Sequence, residues 1–148
     1  MQAKEIQRYK DKSVAQLLKI ATKHFNLFIR NRDSKNGYFK CISCQKVKSV
    51  DQMCAGHYLS AGNNAVFRFD EYNVNGQCNA YCNMFLSGNL VNYRMGLVNK
   101  IGKENVEWLE QNAKKPYRWD RFTLIDIIIK YKSLNKTKWL TTHSEYIQ

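Results

Sequence analysis

The chain contains few of the residues that loosen or interrupt a fold. Only one proline and seven glycines occur among its 148 residues, while hydrophobic residues make up 44% and aromatic residues 13%. These proportions exclude a collagen-like, low-complexity or wholly disordered chain, because such chains are rich in proline and glycine or poor in apolar side chains. At this length we expect one domain, residues 1–148, with enough chain to bury a core.

The sequence also lacks a long apolar segment. Its apolar runs are no longer than the three isoleucines at 127–129, far short of the roughly 18 residues of a membrane span. Residues 1–13 lack the apolar stretch of a secretory signal. We therefore expect a soluble, cytoplasmic protein with no membrane partner.

Acidic residues are scarce. The 24 lysines and arginines oppose 12 aspartates and glutamates, for a formal net charge of +12. The net charge is +9 over residues 1–48, −1 over 49–99 and +4 over 100–148. Such an excess suits a polyanion such as DNA, since each neutralised phosphate releases condensed counterions. A solubilising surface explains the charge equally well, so both interpretations stay open.

Five cysteines occur in an arrangement that disfavours a disulfide framework, because their number is odd and no secretory signal is visible. Two residues separate Cys41 from Cys44, and three separate Cys78 from Cys82. Two such pairs are typical of a structural Zn²⁺ held by four thiolates, each pair supplying two corners of a tetrahedron. Reduced, partly buried thiols are the alternative. We expect Cys54 to be a free, small apolar side chain.

Helical periodicity is visible on both sides of the cysteine pairs. Ser13, as the N-cap of a capping box, predicts the start of an N-terminal helix over residues 13–30. Further helices are predicted over 90–138, where apolar residues recur every three or four positions. Between them, residues 38–89 have a short, extended pattern, and residues 66–69 within it predict a strand. The chain is thus expected to be α+β.

Three polar residues lie in or beside the segment between the cysteine pairs. His57 lies in Ala-Gly-His-Tyr, Asn73 precedes the second pair, and Asn83 directly follows Cys82. The order Cys-x-x-Cys, His, Asn, Cys-x-x-x-Cys-Asn resembles the zinc-stapled ββα-metal nucleases, the HNH or His-Me finger group. The chain is further similar to the NinG (Rap) recombination proteins of lambdoid phages through Phe67-Arg-Phe69, Glu71-Tyr-Asn73-Val74, Gln77-Cys78 and Leu86-Ser-Gly-Asn-Leu-Val-Asn-Tyr-Arg94.

The resemblance implies a fold, an activity and cofactors. The fold would be a zinc-bound ββα-metal core over 38–89, flanked by the N- and C-terminal helices. The activity would be a metal-dependent endonuclease that cleaves Holliday junctions, D-loops and other branched recombination intermediates, encoded by a phage and acting in the bacterial cytoplasm. His57 would be the general base and Asn73 would orient it or brace its loop. Asn83 would bind Mg²⁺ or Mn²⁺ through its amide oxygen.

Two positions depart from that pattern. Related nucleases place an acidic or histidine metal ligand just before the base, where this chain has Gly56. NinG-like sequences have an aspartate three residues before the base, where this chain has Cys54, whose soft thiol is a poor ligand for Mg²⁺. The second protein ligand is therefore unassigned. In the alternative, His57 binds the metal and another group or water is the base. The longer spacer between Cys78 and Cys82 should shift the zinc geometry without abolishing binding.

Candidate contacts to duplex or branched DNA are the basic residues Arg68, Arg94, Lys10 and Lys12. Arg94 could equally pair on the surface, and the N-terminal lysines could be ordinary solvated charge. Cleavage of a symmetric junction requires two active sites, which predicts a homodimer formed through the apolar helices. Two alternatives remain: a zinc-stabilised DNA-binding protein that does not cleave, and an HNH nicking endonuclease without preference for branches.

Overall fold

The computed structural model describes the backbone of residues 2–144 and the side chains of residues 3–138. The chain divides into two units. One takes in the chain up to Asn31 together with the chain from Trp119 onward, and the other is Arg32–Arg118. None of the helices described is both long and apolar enough to cross a membrane.

Helices and short strands together confirm the predicted α+β class. The described chain contains the helices α1 (Gln2–Tyr9), α2 (Val14–Asp33), α3 (Leu90–Ile101), α4 (Lys103–Gln111) and α5 (Arg121–Ser144). It also contains the strands β1 (Ser34–Lys35), β2 (Tyr38–Lys40), β3 (Val47–Ser49), β4 (Met53–His57) and β5 (Val74–Cys78).

Helix α2 begins where its capping box predicts. The Ser13 backbone N–H donates to Gln16 Oε1 at 2.9 Å, and the Gln16 N–H donates to Ser13 Oγ at 3.2 Å. These two bonds satisfy donors that the first helical turn leaves without partners. The helix runs to Asp33, three residues beyond the predicted end. Its buried residues recur at helical spacing: Leu17, Ala21, Phe25 and Ile29.

The first unit holds a helix that the sequence pattern did not predict. Helix α1 is only eight residues long and offers few apolar residues. Contacts with α5 compensate, because Lys132 Nζ donates to Glu5 Oε2 at 3.1 Å and Tyr9 is buried. In the same unit, the Phe25 ring packs edge-on against Tyr131 of α5 with centroids 5.0 Å apart.

The second unit opens with a three-stranded antiparallel sheet in the order β1-β2-β3. The turn between β1 and β2 is formed by Asn36 and Gly37, which both have positive φ angles, 53° and 80°. Asparagine and glycine are the residues that tolerate this conformation in a tight hairpin. Strand β2 then leads directly into Cys41.

Strands β4 and β5 form a separate antiparallel pair, with Met53 opposite Cys78 and His57 opposite Val74. A loop of residues 58–73 joins them. The strand predicted over residues 66–69 is wrong, because Ala65–Phe67 forms a 3₁₀ turn. Phe67 is buried there, with its ring edge-on to Trp108 of α4 at 5.7 Å. Phe67 thus packs against helix α4, whereas a strand at this position would need a neighbouring strand to pair with.

After β5 the chain winds into a π-helix, Asn79–Phe85, which packs against both β4 and β5. Helix α3 follows and ends at Gly102, whose φ of 87° is typical of a glycine that terminates a helix. Helix α4 packs back against α3. The core between these helices and the first cysteine pair contains Ile42, Phe67, Tyr93, Leu97, Val106 and Leu109.

Candidate functional site

The four cysteines predicted as one site lie together in the second unit. The Sγ atoms of Cys41, Cys44, Cys78 and Cys82 all lie within 4.8 Å of one another. Four sulfurs placed 2.3 Å from a tetrahedral Zn²⁺ are about 3.8 Å apart, so the cluster needs only slight contraction to hold the ion. Cys54 is not part of the cluster, as expected. The four thiols could therefore hold a metal such as zinc.

The longer spacer of the second pair is accommodated by the π-helix. Cys78 ends β5 and Cys82 lies four residues on, in the wider π-helical turn. The Cys82 backbone N–H donates to Cys78 Sγ at 3.4 Å. A π-helical turn has more residues than an α-helical turn, so it returns the side chain at i+4 to the face of i. The extra residue is thus absorbed locally and both thiols face the first pair.

Burial and hydrogen bonding act differently on these thiols. Burial raises the pKa of Cys41, and it raises the pKa of Cys82 to about 12. Burial also raises the pKa of Cys78, but hydrogen bonds from the Cys82 N–H and the neighbouring thiols outweigh it and lower that pKa overall. A zinc site requires thiolates, so loading the cluster must displace the protons that burial favours on Cys41 and Cys82.

His57 lies at the end of β4, beside the loop that joins the two strands. Its Nε2 is 3.0 Å from the carbonyl oxygen of Arg68. Because a carbonyl only accepts hydrogen bonds, Nε2 holds the proton and Nδ1 is the basic nitrogen. Burial lowers the pKa of His57, although the bond to the Arg68 carbonyl opposes this. The imidazole is therefore neutral at pH 7, with Nδ1 as its basic nitrogen.

Asn73 braces the loop rather than the imidazole. Its Nδ2 donates to the carbonyls of Leu59 at 2.9 Å and Phe67 at 3.1 Å, and its Oδ1 accepts from the Leu59 N–H at 2.8 Å. None of its described hydrogen bonds reaches the ring of His57. The bond to Phe67 fixes the residue before Arg68, whose carbonyl orients that ring. Asn73 thus helps to orient the histidine indirectly, through the backbone of Phe67 and Arg68.

Asn83 lies in the π-helix, one residue after Cys82. It is half-buried, and its Nδ2 donates to Asn79 Oδ1 at 3.4 Å. This contact turns the amide nitrogen toward Asn79, so Oδ1 is the atom that Asn83 presents elsewhere. The Asn83 carbonyl accepts the Gly88 N–H at 3.0 Å, which closes the end of the π-helix. The residue is therefore fixed to the cysteine cluster on both sides.

Position 56 has no room for a side chain. A Cβ built on Gly56 would lie 2.3 Å from Gln77 Oε1. The Gln77 amide is held by its nitrogen, which donates to Ser43 Oγ at 2.8 Å and to the Gly88 carbonyl at 2.6 Å. Gln77 is fully buried, and its Oε1 has no described hydrogen-bond partner. An amide oxygen thus faces the position where related nucleases place a metal ligand.

Tyr93 of α3 holds the end of β4 from behind. Its hydroxyl donates to the Gly56 carbonyl at 2.7 Å and accepts from Asn75 Nδ2 at 3.1 Å. Burial raises the pKa of Tyr93, so the hydroxyl stays protonated. The sequence did not predict this role. The alternation of Asn73, just before β5, with Asn75 and Gln77 within it was the available indication, because buried amides on one face of a strand need polar partners.

A charged network surrounds Asp33 in the second unit, and no local pattern in the sequence indicates it. Arg32 pairs with Asp33 at 2.7 Å, and Lys100 pairs with Asp33 at 3.0 Å. Asp33 Oδ2 also accepts the Gly76 N–H at 2.8 Å. Burial raises the pKa of Asp33, but the bonds from Arg32 and the charge of Lys100 outweigh it and lower that pKa. The carboxylate therefore stays ionised among cations from α2 and α3.

The predicted DNA contacts lie in different settings. Arg68 is half-buried, with its guanidinium 5.9 Å from the Phe69 ring centroid. Arg94 forms a two-bond pair with Glu110, at 2.6 and 3.2 Å. Lys10 and Lys12 belong to the first unit, between α1 and α2, where their carbonyls accept from one arginine. The contacts themselves stay predictions.

Comparison with known proteins gives the family. The family model described as Bacteriophage Lambda NinG protein matches residues 1–141. The chain belongs to the NinG family. Protein ninG of Escherichia phage 933W is 43% identical over 102 residues, which are 69% of this chain and 48% of that protein. The proteins ninG of Escherichia phage lambda and Salmonella phage P22 are each 41% identical over 102 residues.

Two further facts limit what the family match covers. The chain spans about half the length of the curated ninG relatives that it matches. No solved structure matches the chain. The NinG resemblance drawn from the spaced motifs is confirmed.

Proposed function

We propose that this NinG-family chain is a metal-dependent endonuclease that cleaves branched DNA during phage recombination in the cytoplasm of the bacterial host. One observation is the main support. A neutral histidine ends β4, its Nε2 is held by the Arg68 carbonyl, and its Nδ1 is left as a base. The strand pair, the π-helix and the cysteine cluster around it follow the order of a zinc-stapled ββα-metal core.

His57 would act as the general base. Hydrolysis of a phosphodiester requires that a water lose its proton as it attacks phosphorus, and a neutral imidazole nitrogen suits that task near pH 7. In this chain the nitrogen is Nδ1, because Nε2 is committed to the Arg68 carbonyl. Asn73 and Tyr93 would be positioning residues, since they fix the loop and the strand end around the imidazole.

Mg²⁺ or Mn²⁺, when bound, would relieve the charge on the phosphate and stabilise the leaving 3′ oxygen. Asn83 would hold the ion through its amide oxygen, which is a hard ligand. Position 56 adds no ligand because Gln77 fills its space. The protein thus supplies few oxygen ligands to the ion, and we expect phosphate oxygens and water to complete its coordination. The four cysteines would hold Zn²⁺ as a structural ion.

The test compares a four-way junction with a linear duplex of the same length, each incubated with the protein and Mg²⁺ or Mn²⁺. We expect cutting of the junction. His57→Ala should lower the cleavage rate about 100-fold or more, because it removes the base. Junction binding and zinc content should be unchanged. His24→Ala is the matched control, since His24 is a half-buried histidine of the first unit, and it should cleave normally.

The other outcomes correspond to the two alternatives. Full activity of His57→Ala would show that another group is the base. Junction binding without any cutting by the unaltered protein would favour a zinc-stabilised DNA-binding protein, which the missing ligand at Gly56 keeps open. Equal cutting of both substrates would favour an HNH nicking enzyme. The proposal also includes a homodimer formed through the apolar helices, which sedimentation analysis would detect.

A further inference from the structure

The π-helix presents large apolar side chains to the exterior. Tyr81 is 48% exposed, Met84 67% and Phe85 77%. Exposed apolar residues scattered singly need no explanation, but several within one turn of helix are typical of a binding surface. We call Tyr81, Met84 and Phe85 the π-helix patch.

Two members of the patch have nearly parallel aromatic rings. The rings of Tyr81 and Phe85 are stacked, with centroids 5.9 Å apart and planes inclined by 15°. The same π-helical winding that brings Cys82 to the zinc cluster also aligns these rings, since they too are four residues apart. Parallel aromatic faces of this kind bind other flat rings, and nucleobases stack on them without regard to sequence.

A groove of about 510 Å³ adjoins the patch at Tyr81. Its lining is about half polar, and the polar part includes Lys46, Asn89, Asn92 and Asn99. Side-chain amides can both donate to and accept from the edges of bases, and a lysine can contact a phosphate. The groove therefore offers the functional groups that an unpaired nucleotide would need next to its stacking surface.

The charge pattern indicates a polyanion rather than a second copy of the chain. Residues 72–103 contain no aspartate or glutamate, and their cations Arg94, Lys100 and Lys103 pair with the carboxylates of Glu110, Asp33 and Glu107. In a two-fold symmetric dimer this surface would meet itself, and the segment would provide no carboxylate to oppose Lys46 of the groove. A nucleic-acid strand supplies both the flat rings and the opposite charge.

We propose that the π-helix patch and the adjoining groove bind the unstacked bases of single-stranded or branch-point DNA. The inference rests on the proposed function in one respect, namely that the substrate is DNA. The inference adds that the chain recognises branched DNA by its unstacked bases. Unstacking is cheapest where pairing is already interrupted, so a stacking surface beside the proposed centre favours branched over continuous duplex DNA.

The experiment measures binding by fluorescence anisotropy, without added Mg²⁺ or Mn²⁺, for a forked DNA and for a fully paired duplex of equal length. We expect Phe85→Ala and Tyr81→Ala each to weaken binding to the fork about tenfold and to leave duplex binding nearly unchanged. Phe85→Trp should retain fork binding because it keeps an aromatic face. Phe122→Ala is the control, since Phe122 is 75% exposed in the first unit and should have no effect.

Three results would overturn the inference. One is unchanged fork affinity in both alanine variants. Another is an equal loss for fork and duplex, which would indicate a general contact to DNA. A third is a shift from dimer to monomer in Phe85→Ala with fork affinity retained, which would make the patch an interface between copies. The measurement needs no cleavage, so failure of the nuclease proposal would be seen separately, as absent cutting by a protein that still binds forks.

Discussion

At the residue scale, the position of each proposed functional group depends on one or two neighbours. His57 is neutral and oriented because the carbonyl of Arg68, 11 residues further along the chain, holds its Nε2. Gly56 is required to be small because the amide of Gln77 fills the space beside it. The sequence alone presents Gly56 as a missing ligand. In the structure it is one half of a packed pair, so an acidic side chain introduced there would collide with Gln77 rather than complete a metal site.

The acid limb of the activity profile is a prediction at this scale. Because burial lowers the pKa of His57, a larger fraction of this imidazole is neutral at pH 6 than of an ordinary histidine. We expect kcat/KM for junction cleavage to fall with acidification at a midpoint below pH 6.5. Zinc content is measured at each pH as the control. A midpoint above 6.5 with zinc retained would contradict the assignment of His57 as base.

At the element scale, close backbone contact fixes α3 against the first cysteine pair. A Cβ built on Gly96 of α3 would lie 2.0 Å from the carbonyl oxygen of Ile42. This approach also brings Tyr93, one turn earlier in the helix, to the end of β4. The periodic apolar stripe of α3 was predictable from the sequence, whereas the need for glycine at position 96 was not. That need arises only where a helix meets a turn from a distant part of the chain.

Gly96→Ala tests this contact. The added methyl would overlap backbone atoms that cannot rotate away, so we expect the free energy of unfolding to fall by about 3 kcal/mol. Urea denaturation of the zinc-loaded protein measures the change. Gly62→Ala is the matched control, because nothing lies within 4 Å of its Cβ position, and it should not destabilise the protein. Equal stability of the two variants would show that α3 does not pack this closely.

The same scale explains where pattern recognition failed. Residues 66–69 have an alternating apolar pattern that is typical of a strand, yet they form a 3₁₀ turn because Asn73 binds the Phe67 carbonyl and Phe67 packs on Trp108. Helix α1 was not predicted, because the contacts that stabilise it, from Tyr9 and Glu5 to α5, are distant in sequence. In both cases distant partners outweigh the local preference.

At the scale of the whole molecule, the cysteine cluster connects segments far apart in sequence. Cys41 and Cys44 lie between β2 and β3 of one sheet, whereas Cys78 ends β5 of the other strand pair and Cys82 lies within the π-helix. The hydrophobic cluster around these thiols is small, with Phe39 and Met53 as its other buried members. We therefore expect a bound ion to supply much of the stability of the Arg32–Arg118 unit.

Cysteine substitutions test that expectation. Purified protein should contain about one zinc ion per chain by elemental analysis. Cys78→Ser should lose the zinc and the cooperative unfolding of the second unit, because three thiolates no longer complete the tetrahedron. Cys54→Ser is the matched control, since Cys54 lies outside the cluster, and it should keep both. Zinc loss in both variants, or in neither, would contradict the assignment of the four ligands.

The sequence by itself determined the features that local chemistry controls: the α+β composition, the capping box of α2 and the four paired thiols. Spacing was enough for these because each depends on residues close together in the chain or on a ligand type that few other arrangements require. The tertiary structure alone decided which nitrogen of His57 is basic, why position 56 is glycine, and where the aromatic rings of the π-helix lie. Each of these follows from contacts between segments 10 or more residues apart or from the winding of one helical turn. Residue order and spacing alone predict neither the distant contacts nor the winding.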